Sequence, residues 1–82
     1  MKKASYEHKL NLHDFKQKAL EEKTNIRWFD VWDSVFLQSM SFLVTKENGA
    51  FELYKFSTKT GSTFSRLIKW LEENSFEFRV AR

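Results

Sequence analysis

The chain contains no cysteine and no proline, and only two of its 82 residues are glycine. Without cysteine, neither a disulfide nor a thiolate-bound zinc can staple a small fold, and nothing argues for an oxidising compartment. Two glycines are too few for the glycine-rich loops that wrap nucleotide phosphates. No uninterrupted apolar run approaches the ~18 residues of a transmembrane helix. The charged start Met1-Lys2-Lys3 is followed by Ala-Ser-Tyr-Glu-His-Lys and not by the apolar segment of a signal peptide. The expected location is the cytoplasm, with no membrane partner.

Residues able to carry chemistry are equally scarce. His8 and His13 are the only histidines, and five positions apart they would face different directions on one helix. His13-Asp14 lacks the further His and Asp ligands that metal-dependent phosphohydrolases add to such a pair. Asp30 and Asp33 could be paired carboxylates, but two acids in a polar turn ordinarily serve solubility. No Gly-x-Ser-x-Gly elbow is present. The expectation is therefore a binding protein with no catalytic residues, no metal and no cofactor.

Aromatic residues are abundant: nine Phe, three Trp and two Tyr. A domain of this length buries only about 60–65% of the surface its unfolded chain exposes, and each aromatic can bury roughly 150–250 Å². The aromatic content exceeds what so small a core readily hides. Some rings are expected at the surface, and a homodimer is expected as one way of covering them.

No Pro-, Gly- or Ser-rich linker divides the chain, so it reads as a flexible basic arm over residues 1–9 and one domain over residues 10–82. Residues 11–23 read as a helix capped by Asn11, with Leu12, Phe15, Ala19 and Leu20 as its buried stripe. Residues 26–32 are ambiguous between a strand and a short helix pairing Trp28 with Trp32. Two apolar-aromatic runs, Val35 to Thr45 and Ala50 to Thr58, flank Asn48-Gly49, a strong hairpin signal. With those two residues as the loop, Val44 pairs with Leu53 and Phe42 with Lys55. Met40, Phe42, Val44, Phe51 and Leu53 then face the core, and Leu43, Tyr54 and Phe56 face outward. Residues 62–74 form a second helix around Phe64, Leu67, Ile68 and Leu71, and Phe76, Phe78 and Val80 alternate into a last strand. The fold class is α+β: an antiparallel sheet of three to four strands with two helices packed on one face, in the order α-β-β-β-α-β. If residues 3–9 formed a strand, the order would become the ferredoxin-like β-α-β-β-α-β.

The candidate binding segment runs from Lys55 to Lys69, inside an interval without acids between Glu52 and Glu72. Lys55, Lys59, Arg66 and Lys69 are its cations. Thr60, Ser62 and Thr63 add hydroxyl groups at the start of the second helix, where free backbone N–H groups attract anions. Together they form either a phosphate site or an ordinary capped helix with a solvated basic face. Tyr54 and Phe56 on the outer sheet face, and Trp70 on the helix edge, would stack on bases. Their alternative role is a second core layer or a dimer face. Gly49-Ala50-Phe51-Glu52-Leu53-Tyr54 lacks the basic-glycine opening of RNA-recognition sheets.

Ten lysines stand against four arginines, with many phenylalanines and no proline or cysteine. In this composition the chain resembles the small early accessory proteins of T4-like bacteriophages. The resemblance implies action in the host cytoplasm and carries no motif from which a site residue could be transferred. Two functions follow as expectations. One is a weakly sequence-specific nucleic-acid-binding protein, RNA before DNA. The other is an inhibitor or adaptor that blocks a partner protein through an aromatic surface.

Overall fold

Asn11 starts the first helix as its side chain predicts. In the computed structural model, which describes residues 5–81, the Asn11 side chain accepts the Asp14 N–H at 2.8 Å and opens α1 (Leu12–Glu21). Phe15 and Ala19 are buried, Leu12 is half-buried, and Leu20 points to solvent at the edge of the stripe. The second helix, α2 (Gly61–Glu73), buries Phe64, Leu67 and Leu71. It ends on Ser75, the one non-glycine residue described with positive φ, at 60°. The Phe76 N–H reaches back to the Leu71 carbonyl at 2.9 Å and the Ser75 N–H to Glu72 at 3.1 Å. This termination satisfies two open carbonyls and seats Phe76 in the core.

Five strands accompany the helices: β1 (Ser5–Lys9), β2 (Phe29–Asp33), β3 (Gln38–Thr45), β4 (Phe51–Thr58) and β5 (Phe78–Ala81). They form one sheet in the order β1-β4-β3-β2-β5. The β2–β3 and β3–β4 pairs are antiparallel, whereas β1 runs parallel to β4 and β5 parallel to β2. The class is the expected α+β, but the sheet is mixed and has five strands, and the order is β-α-β-β-β-α-β. Two β-α-β crossovers produce this arrangement. The first leaves β1 and returns at β2, the second leaves β4 and returns at β5, and each passes over two intervening strands. Residues 5–9, expected within a flexible arm, are the edge strand β1, while residues 1–4 lie outside the described residues. The ferredoxin-like order fails because Phe29–Asp33 supplies an additional strand.

The Asn48-Gly49 hairpin forms, with a loop one residue longer than expected. Lys46 donates its N–H to the Ala50 carbonyl at 2.8 Å, and Gly49 donates to Lys46 at 2.9 Å. A two-residue type I′ loop would need positive φ at both Asn48 and Gly49. Only Gly49 adopts it, at 85°, and the Asn48 side chain instead accepts the Ala50 N–H at 3.0 Å. The extra residue moves the pairing by one position, so that Phe42 meets Tyr54 and Leu43 meets Leu53. Because side chains alternate along a strand, a one-residue shift turns all of β4 over. Tyr54 and Phe56, expected outside, lie in the core, and Phe51 and Leu53, expected inside, lie on the opposite face.

Both helices cover the face that carries Tyr54 and Phe56, because all their buried residues join one core cluster with those of the sheet. In register across the five strands stand His8, Tyr54, Phe42, Phe29 and Phe78. His8 stacks on Tyr54 at 4.7 Å, Tyr54 on Phe42 at 5.3 Å, and Phe42 lies 4.9 Å from Phe29. Phe15 of α1 rests on this row, 5.2 Å from Phe42 and 5.9 Å from Phe29. Each fully buried ring contributes roughly 1.5–3 kcal/mol relative to exposure, so the row supplies a large share of what holds the helices to the sheet.

Candidate binding surface

The cations expected to form one phosphate site do not converge. Lys55 sits between the buried Tyr54 and Phe56 and projects from the opposite face of β4, away from the helices. Arg66 and Lys69 are exposed on α2, with Ser62, on the side opposite Phe64, Leu67 and Leu71. The sheet itself therefore separates Lys55 from Arg66 and Lys69. Lys59 and Thr60 lie in the exposed connection from β4 to α2, and Thr63 is half-buried in the first turn. Thr60 occupies the N-cap position but its side chain makes no capping bond; its N–H donates to the Thr58 hydroxyl at 3.1 Å. Nor are two of the three proposed stacking rings available. Tyr54 is 5% and Phe56 8% exposed. Trp70 packs on Phe76 at 5.5 Å, with the Lys16 ammonium 5.5 Å above its ring.

The structure instead brings together the face of the sheet that no described helix covers. Strand alternation places Phe51, Leu53 and Lys55 of β4 there beside Leu43, Ser41 and Ser39 of β3. Asp30 and Trp32 of β2 and Arg79 of β5 continue it. Trp28, just before β2, donates its indole N–H to Asp30 at 3.2 Å, and the Arg79 guanidinium stacks 3.8 Å over its ring. These contacts hold the indole in place and give the face a cation backed by an aromatic plane. Two shallow clefts cross the face. One of about 370 Å³ lies among Trp28, Asp30, Leu43 and Phe51. The other, about 430 Å³, lies among Trp32, Leu37, Leu53, Lys55 and Ala81.

At one end this face continues into the β2–β3 connection. The run from Val35, expected as strand, begins as a tight loop: the Ser34 hydroxyl accepts the N–H groups of Phe36 and Leu37 at 3.3 and 3.2 Å. That local capping competes with extended pairing and delays β3 until Gln38, whose side chain bridges to Asp33 at 3.1 Å. The loop carries its apolar side chains outward. Val35 is 93% and Phe36 86% exposed, next to Trp32 at 52%. Periodicity could not find this tip, because Val-Phe-Leu reads as buried strand. The serine before it was the available signal.

On the helix side, one polar cluster ties the edge of the sheet to α1. The Tyr54 hydroxyl donates to Glu52, and the Lys46 ammonium bridges Glu52 at 3.9 Å and Glu22 at 3.8 Å. His8 Nε2 lies 3.6 Å from Glu52. The Tyr54 hydrogen bond, opposed by burial and aided by Lys46, His8 and Lys18, holds the Glu52 carboxyl below its ordinary range. Burial first, and the same bond second, push the Tyr54 phenol well above its own. A phenol kept protonated and a carboxylate kept charged make a stable strut and a poor acid–base pair. Among the described residues, no group of three or more His, Asp or Glu is placed to hold a metal, and no helix is long and apolar enough to cross a membrane.

In comparisons with known proteins, neither a family nor a curated protein matches this chain.

Proposed function

We propose that this chain is a protein-binding module, an inhibitor or adaptor with no reaction of its own, anchored by the apolar tip of the β2–β3 loop. The observation that carries this reading is the near-complete exposure of Val35 and Phe36 beside half-exposed Trp32. Adjacent exposed apolar side chains on a hairpin loop are the kind of surface that marks interaction sites. An aromatic anchor filling a pocket supplies a large part of the energy of many protein interfaces. The partner this fits is a protein with an apolar pocket that admits one phenylalanine ring. With the compositional resemblance to phage accessory proteins, that partner is a host protein in the cytoplasm.

The test is a pull-down with tagged chain, with and without nuclease. Phe36→Asp should weaken capture of the partner by at least ~2 kcal/mol, about thirty-fold. The triple charge reversal of Lys59, Arg66 and Lys69 to Glu should leave the complex intact. Loss of the complex on nuclease treatment, or its survival in Phe36→Asp, counts against this reading.

A second reading, RNA binding, is favoured by one feature: Lys9, Lys55 and the Arg79–Trp28 stack share the uncovered face. It predicts binding that weakens steeply with salt and is abolished by Lys55→Glu with Arg79→Glu, while Phe36→Asp leaves it unchanged.

A further inference from the structure

We infer that the uncovered sheet face packs against the same face of a second copy of this chain, about a two-fold axis running along β3. The inference rests on the cross-strand register, an observation independent of the loop tip.

Sheet registers place Lys9, Lys55, Ser41, Asp30 and Arg79 in one row across the five strands. The middle of this row reads basic, neutral, acidic, with β3 at its centre. Rotation by a half-turn about β3 lays β4 of one copy over β2 of the other. Lys55 then stands opposite Asp30 of the partner, and Asp30 opposite the partner's Lys55. The same rotation puts Leu43, 46% exposed, against its own equivalent. Leu53, paired with Leu43 one row along, falls over the partner's Trp28. A surface that complements itself under a two-fold rotation is what an isologous dimer requires. At the ends of the row Lys9 meets the partner's Arg79, a like pair. Glu7, two residues along β1 on the same face, lies near that like pair, and the twist of the two sheets separates their corners.

Two further points favour a copy as the cover. The pairs β1–β4 and β2–β5 are parallel, and parallel strands are ordinarily covered on both faces. The footprint also has the right scale. Five strands spaced about 4.8 Å, the longest of them about 27 Å, offer roughly 500 Å² per copy after allowing for the short edges. The total of about 1,000 Å² sits at the lower end for specific interfaces, so the dimer should be weak, with dissociation in the micromolar range.

The experiment is sedimentation equilibrium of the full chain across the micromolar range, with two single variants and their mixture. Wild type should dimerise reversibly. Lys55→Asp places two acids opposite one another and Asp30→Lys places two bases opposite one another. Each variant alone should therefore dissociate at least ten-fold more readily. Mixed one to one, they restore both opposite-charge pairs, and a mixed dimer of near wild-type affinity should appear. Leu43→Arg should abolish dimerisation in every background, with circular dichroism confirming that it folds. Three results would overturn the inference: a wild type monomeric throughout, single variants as dimeric as wild type, or a mixture no better than its components. None of these touches the partner-binding reading, which fails separately if Phe36→Asp retains its partner.

Discussion

The two faces of the sheet are built from the same strands, residue by alternate residue, and differ in nearly every respect. On the inner face Phe29, Phe42 and Val44 are almost fully buried under two helices. On the outer face Leu43, one residue from Phe42 and Val44, stays 46% exposed. The inner face is a continuous row of rings. The outer face mixes Leu43, Leu53 and Trp32 with Lys55, Asp30 and Arg79. The difference separates two uses of apolar surface. Inside, it drives folding. Outside, it stays in contact with solvent in the single chain.

Replacing neighbouring residues on opposite faces gives the largest contrast. Phe42→Ala opens a cavity beneath α1, where Phe15 and Phe29 both touch the lost ring. It should cost ~3–5 kcal/mol in urea unfolding, enough to unfold much of so small a protein. Leu43→Ala should change the stability of the monomer by no more than about 0.5 kcal/mol. Equal costs would mean that the outer face is also core.

Gly49 is the residue that decides which side chains go to which face. Its φ of 85° suits glycine, and Gly49→Ala should cost ~1–2 kcal/mol. If the chain escapes the strain by lengthening the loop by one residue, β4 would turn over and expose Tyr54. Near-ultraviolet circular dichroism and tyrosine fluorescence would then change together with stability. A loss of stability with both spectra preserved would show that the inner packing alone maintains the register.

The acid limb of the stability curve probes the polar edge of the inner face. The Glu52 carboxyl is held below its ordinary value of 4.5, chiefly by Tyr54. Since its folded value is the lower one, its contribution is complete above pH 4.5 and is lost as pH falls through the folded value. Tyr54→Phe should reduce stability at neutral pH, and the gap from wild type should narrow as pH falls below 4.5. A gap independent of pH would mean that the lost hydroxyl acted through packing.

The smallest effect belongs to the outer face. Leu53→Ser should leave monomer stability within about 0.5 kcal/mol, measured at dilute protein, while weakening the proposed self-association in sedimentation equilibrium.

Much of the fold was legible because it is written locally. Asn11 capped its helix, the 3.6-residue stripes of both helices pointed to Phe15, Ala19, Phe64, Leu67 and Leu71, and the hairpin turned at Asn48-Gly49. The candidate site was far less legible. The faces of Tyr54, Phe56 and Lys55 all depend on one hairpin register, and a single added loop residue exchanges all three. Residues 5–9 were not legible as strand because their pairing partner, β4, lies more than 40 positions along the chain. A polar edge strand carries no apolar pattern of its own.

By itself the sequence determined the α+β class, both helices and the central hairpin. These depend on residue type and short-range spacing, which act whatever the rest of the chain does. Only the tertiary structure decided the sheet order, the face each strand residue takes, and the exposure of Val35 and Phe36. Those follow from pairing between distant segments, where a shift of one residue leaves local propensity unchanged and reverses what is buried.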